Sequence, residues 1–308
     1  MDLCVYVPPR PLQAYLTLGA LALVWGSSYI LIKRSLLDLT PWEVGHLRLA
    51  LAGLAFAPVA VRRCRDLTRR EWLLLLLIGL AGTGLPSFLF PLAQTEISSS
   101  LAAAISSLVP LLTLAVGVVL YGAPLRGAQA RGIAVGLAGA VWLVGARYGW
   151  GSLVSSPSAG DGAGGWPLAF IAGAVAGSLC YALSSNTVKA FFAETDPLRV
   201  TAGAMLPLGV YGLVGLVVLG GLPTGFGDSP TLAVSYAAVV FLGLVGTALA
   251  SWLFFRLVQL TEPVFASTVS YLVPVVAFGW GLVADEVVTL EMSAALGLVL
   301  VGVYLARR

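Results

Sequence analysis

Charged residues are scarce in this chain. Asp, Glu, Lys and Arg make up 10% of the 308 residues, whereas 59% of the residues are hydrophobic, and the mean hydropathy is +0.96. A soluble domain carries about 25% charged residues, so this composition excludes a water-soluble fold and predicts that lipid is the solvent. The net charge of +3 is too small to indicate a nucleic-acid partner.

Side chains that serve catalysis or metal binding are also few. The chain has one His and therefore no His-Glu-x-x-His motif, and residues 26–29 lack the Gly-x-Ser-Gly form of rhomboid-like proteases. A glycine-rich loop followed by Lys is missing, which argues against direct use of ATP. Three cysteines are an odd number, and Cys180 lies in an apolar segment, which argues against a disulfide framework. We therefore expect a protein that is not an enzyme and has no cofactor or bound metal.

Charges divide the chain into long uncharged stretches. Seven intervals between charged residues hold 22 to 29 residues each, and three shorter runs reach spanning length if each takes in a polar turn. A helix needs about 20 apolar residues to cross the hydrocarbon, and lipid cannot satisfy open backbone groups. The pattern predicts an all-α integral membrane protein with ten transmembrane helices, at about 13–33, 42–61, 72–93, 98–121, 127–146, 166–188, 198–219, 231–255, 263–284 and 289–306.

The distribution of Lys and Arg predicts the orientation. With the N-terminus in the cytoplasm, 13 of these residues fall on the inner side and 3 on the outer side, and Arg48 falls within a span. This bias predicts a multi-pass protein of the cell (inner or plasma) membrane with both termini cytoplasmic. The arginine-rich segment 62–70 belongs to the inner group and is expected to anchor the topology near anionic lipid.

The chain divides into two similar halves. A Gly- and Ser-rich stretch, 147–165, reads as an outer linker between a first unit, 13–146, and a second unit, 166–306, of five spans each. Residues 79–90 and 243–254 share eight identities in twelve positions. We call these two segments the duplicated motif.

Further matches occur in the same order along both halves. Ser107-Leu-Val-Pro110 aligns with Tyr271-Leu-Val-Pro274, and Lys33 aligns with Lys189. Because five spans is an odd number, the second copy must enter the membrane from the opposite side. The expected architecture is therefore two inverted five-helix repeats, and transporters of this kind bind their solute near the midplane between the repeats.

Several short motifs together resemble one family. They are Trp25-Gly-Ser-Ser-Tyr-Ile, Lys33, His46-Leu-Arg48 with the following Leu-Ala-Leu-Ala-Gly53, and Asp285-Glu286 ahead of Gly297 and Gly302. With the duplicated motif, they resemble the EamA branch of the drug/metabolite transporter superfamily over about residues 14–306. The resemblance implies a ten-helix metabolite or amino-acid transporter, commonly an exporter, with a central cavity between the halves. The acidic residue that usually follows the fourth span is absent at Tyr121-Gly-Ala-Pro124, whereas Glu286 keeps its place in the second half.

Hydroxyl and aromatic side chains recur on the faces of several spans. Helical spacings of three, four and seven place them in stripes, which favour a substrate cavity. The alternative is that Ser and Thr join helices by hydrogen bonds. The candidate cavity residues are Trp25, Ser28, Tyr29, Arg48, Thr83, Ser87, Ser106, Ser107, Ser178, Tyr181, Ser185, Thr247, Ser251, Ser270 and Tyr271.

Two prolines fall near the centres of the fourth and ninth spans. Pro110 and Pro274 each remove a backbone hydrogen bond and are expected to kink their helices. Bent helices often frame transporter sites, although plain packing curvature is the alternative.

Arg48 is the one permanent charge inside a predicted span. It lies roughly 9 Å below the outer end of its helix, and ionisable residues at such depth are candidates for function. Its side chain reaches the outer interface in the alternative interpretation. The neighbouring His46 shares a helical face with Glu43 and is expected to pair with it.

The positions of the acidic residues restrict the solute. Each Asp and Glu in or near a span lies at its end, so a cation would meet only the positive Arg48 at depth. We therefore expect a neutral or zwitterionic solute and a protein that functions as a monomer in the lipid bilayer. The alternatives are a membrane-embedded ligand sensor or scaffold, and a passive channel.

Overall fold

A computed structural model describes residues 11–123, 127–148, 166–219, 231–261, 263–284 and 289–306, and these ranges contain helices and no strand. The helices are α1 Pro11–Ser35, α2 Pro41–Arg63, α3 Arg69–Gly79, α4 Pro86–Ala93, α5 Ser99–Ser106, α6 Val109–Tyr121, α7 Gly127–Tyr148, α8 Trp166–Phe192, α9 Pro197–Val218, α10 Leu232–Phe241, α11 Ala250–Leu260, α12 Pro263–Ser267, α13 Val269–Val283 and α14 Leu290–Ala306. Two π-helical segments, Leu80–Gly84 and Leu242–Leu249, connect α3 to α4 and α10 to α11.

Eight helical stretches of the described residues are long and apolar enough to cross a membrane. They are Leu12–Ser35, Pro41–Arg63, Arg69–Ala93, Leu101–Tyr121, Leu168–Phe192, Pro197–Val218, Leu232–Leu260 and Pro263–Val283, and a shorter apolar stretch runs over Leu290–Gly302. Their outward faces carry apolar side chains such as Val119 and Val217, both 78% exposed. Such faces fit a lipid environment and would be costly in water.

Local sequence explains where two of the spans begin. Thr40 Oγ1 accepts a 3.3 Å hydrogen bond from the Glu43 amide, and Glu43 Oε2 accepts a 2.7 Å bond from the Thr40 amide. Thr68 and Glu71 make the same reciprocal pair ahead of α3. These capping boxes satisfy amide groups that the first helical turn leaves open.

Close backbone contacts join α2 to α9 and α7 to α14. Gly53 and Gly209 touch backbone to backbone, and neither position has room for a Cβ atom. Gly302 lies against the backbone of Gly136 in the same manner. Small residues permit this approach of membrane helices, and the fully buried side chains of Leu49 and Met205 pack beside the first contact.

Polar contacts at the end of the bundle formed by residues 62–70, the arginine-rich end, join the α2–α3 turn to the start of α9. Arg63 forms an ion pair with Asp196, and Arg199 Nη2 lies 3.0 Å from Asp66 Oδ1. These pairs are partly exposed, so we expect each to contribute little to stability.

The opposite end is joined by a carboxylate and a lysine. Asp38 Oδ2 accepts a 2.6 Å hydrogen bond from Ser235 Oγ, which connects the α1–α2 turn to α10. Lys33 Nζ donates a 2.9 Å bond to the carbonyl oxygen of Gln94, just past the end of α4. A cation is favourable at this position because the carbonyls of a helix C-terminus carry partial negative charge.

Candidate functional site

A central cavity lies where α1, α2, α8, α13 and both π-helical segments meet. It offers about 80 Å³ to the centres of water-sized molecules. One water needs roughly 10–15 Å³ by this measure, so several waters or a small solute fit. The lining residues are Trp25, Ser28, Tyr29, Ile32, Arg48, Gly82, Thr83, Ser87, Phe90, Ser106, Val109, Tyr181, Ser184, Gly246, Thr247, Ser251, Phe254, Phe255, Ser267, Ser270 and Val273.

The duplicated motif supplies equivalent residues to two walls of this cavity. Each pair is separated by 164 positions in the chain. The pairs that line the cavity are Gly82 with Gly246, Thr83 with Thr247, Ser87 with Ser251, and Phe90 with Phe254.

Both copies of the motif fold as π-helix at their Gly-Thr step. Leu85 N donates a 2.8 Å bond to Leu80 O, five residues earlier. In the second copy Ala250 N donates to Val245 O, also five residues earlier. A π-helix inside a span leaves the hydrogen-bond pattern irregular, and such segments frequently occur at functional sites. The periodicity of the sequence predicts ordinary α-helix here, so the π segments were not predicted.

Arg48 bonds to the second half of the chain at the edge of the cavity, where α2 packs against the π-helical segment Leu242–Leu249. Its side chain is 8% exposed, and its Nε and Nη2 atoms lie 3.3 and 3.2 Å from Thr247 Oγ1. No carboxylate of the described residues lies within ion-pair distance of its guanidinium. The fold therefore holds a buried cation whose nearest partner is a neutral hydroxyl.

Two further hydroxyls of the lining have no partner in the described part of the chain. Thr83 Oγ1 and Ser87 Oγ are buried and make no hydrogen bond. Thr83 differs in this respect from its equivalent Thr247, which is bonded both to Arg48 and to Leu242 O. A buried polar group without a hydrogen bond is costly, so these hydroxyls are suited to a polar atom of a bound solute.

Aromatic rings form much of the remaining wall. Tyr29 and Phe90 are in edge contact at 5.6 Å between centroids, and Phe90 stacks on Tyr181 at 5.9 Å. Trp25 lies 5.2 Å from Phe254, and its Nε1 donates a 3.1 Å bond to Gly246 O. The rings therefore fix one another and present an apolar surface beside the polar groups.

The structure brings eleven of the fifteen predicted cavity residues together. They are Trp25, Ser28, Tyr29, Arg48, Thr83, Ser87, Ser106, Tyr181, Thr247, Ser251 and Ser270. Additional lining residues were missed although a signal was available. Gly82, Gly246, Phe90 and Phe254 belong to the duplicated motif, and Ser184 follows Tyr181 at helical spacing.

The other four predicted residues lie outside the lining. Ser107, Ser178 and Ser185 donate to carbonyl oxygens of their own helices, at Ala104, Ala174 and Ala182, over 2.6, 3.0 and 3.1 Å. Tyr271 packs on the cluster around Leu108 and Leu111. Bonds within a helix satisfy these hydroxyls without a ligand, so the three serines fit a packing role.

The two spans that carry the predicted prolines are each broken ahead of the proline. The fourth span is broken at Ser107–Leu108, and Pro110 lies in the first turn of α6, where its missing amide costs little. The ninth span is broken at Thr268, and Pro274 lies inside α13. Pro274 leaves the Ser270 carbonyl without its helical donor, at a residue that lines the cavity.

His46 lies outside the cavity in an aromatic cluster. Its ring is 4.9 Å from that of Phe88 and 5.3 Å from that of Tyr211, and its Nδ1 lies 2.8 Å from Trp42 O. The expected pair with Glu43 is not seen, because the Glu43 carboxylate is bonded to Thr40 in the capping box.

The described residues contain no group of three His, Cys, Asp or Glu side chains that could hold a metal ion. Glu262, Asp285 and Glu286 lie outside the residues that the structure describes. The lining itself carries one formal charge, that of Arg48, together with hydroxyls and rings.

Known proteins resemble the chain over almost its whole length. It is 29% identical over 294 residues, 94% of this chain and 88% of the relative, to the protein named Uncharacterized inner membrane transporter YedA of Escherichia coli (strain K12). It is 24% identical over 302 residues, 96% of this chain and 99% of the relative, to an Uncharacterized transporter of Archaeoglobus fulgidus.

A solved crystal structure and a family profile complete the comparison. The crystal structure matches with a TM-score of 0.66 at 21% identity and covers 96% of each chain, which supports the fold. The profile of the EamA-like transporter family matches residues 12–145 and 168–308. With its apolar helices, the chain is a multi-pass membrane protein and a member of the EamA-like transporter family.

Proposed function

We propose that this protein is a secondary transporter of small organic solutes that works by alternating access. The observation that carries the proposal is the central cavity, because equivalent residues of the duplicated motif line it from both halves and two of its hydroxyls have no partner among the described residues. Such a site is polar enough to bind a solute and lies between two units that can move against each other.

The proposed units are inverted five-helix repeats, 13–146 and 166–306, joined by the outer linker 147–165, which gives ten membrane helices. The two segments matched by the family profile, 12–145 and 168–308, support this division. The close contact of Gly53 with Gly209, which are 156 residues apart, supports it as well, because Lys33 and Lys189 have the same separation.

The proposed orientation has both termini in the cytoplasm, and the proposed direction is export. The 13-to-3 distribution of Lys and Arg supports the orientation, whereas the direction rests on the resemblance to exporters. A solute without net positive charge is expected, because Arg48 is the formal charge that faces the cavity.

Flux through purified protein in sealed proteoliposomes tests the proposal. Vesicles are loaded in turn with labelled amino acids, nucleosides, sugars or cationic dyes, and release is compared with protein-free vesicles. A carrier gives saturable flux and counterflow of labelled solute against unlabelled solute. Saturable binding without flux across this panel would favour a sensor or scaffold, and flux without saturation or counterflow would favour a channel.

A further inference from the structure

The guanidinium of Arg48 is only partly used by the protein. An Arg side chain has five N–H donors, and the described contacts direct one from Nε and one from Nη2 toward Thr247 Oγ1. Because Arg48 lines the central cavity, its remaining N–H donors are available to a molecule bound there. A buried cation needs an opposite charge or full hydrogen bonding to offset the loss of water.

The neighbours of Arg48 do not supply that opposite charge. The phenols of Tyr29 and Tyr181 are the titratable groups that interact with it electrostatically, and both are neutral hydroxyls near neutral pH. No carboxylate of the described residues faces the cavity. The site therefore has a positive charge without an anion to pair with it, and a bound ligand can supply that anion.

Further donors are present in the same cavity. The hydroxyls of Thr83 and Ser87 have no hydrogen-bond partner in the described residues and can each donate to a ligand oxygen. A carboxylate accepts about four hydrogen bonds and matches the planar fork of an Arg. Arg48, Thr83 and Ser87 line the same cavity, so one carboxylate bound there can accept hydrogen bonds from the guanidinium and from a hydroxyl.

We infer that the central cavity binds the carboxylate of its solute, with Arg48 as the charge partner and the Thr83 and Ser87 hydroxyls as donors. One cation matches one carboxylate, so dicarboxylates and phosphates leave a negative charge uncompensated. The rest of the solute packs against the ring of Phe90 and its neighbours. The chemistry is shared by organic monoacids and by amino acids.

The inference rests on the proposed function, because it names the solute class of that site, but its test measures binding rather than flux. Wild-type protein in lipid nanodiscs is tested by equilibrium dialysis with labelled acetate, lactate, 3-phenylpropionate, alanine and phenylalanine. The amide of each compound, which lacks the carboxylate charge, serves as its matched probe; the amides of acetate, lactate and 3-phenylpropionate are uncharged. We expect at least one acid to bind about 10- to 100-fold more tightly than its amide, the range for a charged hydrogen bond.

Two variants separate recognition from folding. Arg48→Gln should abolish the preference for acid over amide, whereas Arg48→Lys should retain part of it because charge is kept and the fork is lost. Arg65→Gln, an exposed arginine at the arginine-rich end, is the control and should leave the preference unchanged. If Arg48→Gln does not fold, the carboxylate inference is still tested by the acid–amide comparison in the wild-type protein and by Arg48→Lys.

The outcomes distinguish the two proposals. Equal binding of acids and amides, failure of every acid to bind at millimolar concentration, or an acid preference that persists in Arg48→Gln overturns the carboxylate inference. Tight binding of 3-phenylpropionate and not phenylalanine identifies organic acids, and the reverse identifies amino acids. Acid-selective binding with no flux in proteoliposomes supports the site and contradicts the transporter.

Discussion

Gln259 Nε2 lies 2.6 Å from the carbonyl oxygen of Phe192 and 2.8 Å from that of Thr195. The amide thereby adds hydrogen bonds to carbonyls at the end of α8. Gln94 lies near the end of the equivalent third span, 165 residues earlier, yet both of its amide atoms are buried without a hydrogen bond to the described residues. The two halves of the chain therefore differ at the ends of equivalent spans.

We expect opposite effects from the same substitution at these two sites. Gln259→Leu should lower stability by about 1–3 kcal/mol, because carbonyl groups lose their donor. Gln94→Leu should be neutral or stabilising, since it removes a buried amide that has no partner among the described residues. Unfolding of each variant in detergent, followed by circular dichroism, measures the difference. A larger loss for Gln94→Leu would mean that Gln94 has a bonding partner under these conditions.

Bulky residues at the serines of the duplicated motif should block the cavity. Ser87→Trp and Ser251→Trp each place a large ring in the central cavity that both serines line, so solute flux should fall to the background of protein-free vesicles. The matched controls are Leu85→Trp and Leu249→Trp, whose side chains are 50% and 44% exposed on the outer face of the bundle. Normal flux through folded Ser87→Trp and Ser251→Trp protein would remove these serines from the solute path.

The contact between α2 and α9 should not tolerate a methyl group. Gly53→Ala and Gly209→Ala each force a Cβ into the backbone of the facing helix, which should cost about 1–3 kcal/mol. Gly19→Ala is the control, because a Cβ added at Gly19 would have no neighbouring atom within 4 Å. Thermal unfolding of the three variants tests this, and equal stability of all three would contradict the close contact.

Cysteine labelling tests the orientation. After replacement of Cys4, Cys64 and Cys180, a cysteine at Ser155 in the outer linker should react with a membrane-impermeant maleimide added to intact cells. A cysteine at Arg65 should react only after the membrane is opened. Labelling of both sites from the same side would overturn the inverted arrangement.

The cavity could be predicted largely because the duplicated motif is local in sequence. Thr83 and Ser87 are one helical turn apart, so periodicity alone puts them on one face. The partner of Arg48 could not be found in this way, since Thr247 is 199 positions distant. Periodicity also cannot tell a serine that faces a cavity from one that bonds its own helix, as Ser178 does.

The exact positions of the helix breaks could not be predicted. Pro110 removes the bond to Ser106 O, and the chain breaks just after Ser106, whereas the break at Thr268 lies ahead of the bond to Ser270 O that Pro274 removes. Neighbouring helices decide the position of such a break, and their placement is not contained in a local pattern. The same holds for the Gly53–Gly209 contact, because glycine is common throughout the chain.

The π-helical segments set the rotational phase of the helices that follow them. A π turn holds one residue more than an α turn, so the residues after it are rotated by about 100° from where a continuous α-helix would put them. Ser87 and Ser251 both lie beyond such a turn. Deleting one residue from either segment would restore α-helical bonding and turn the later serine away from the cavity. The extra residue in each segment therefore determines that the serine faces the cavity.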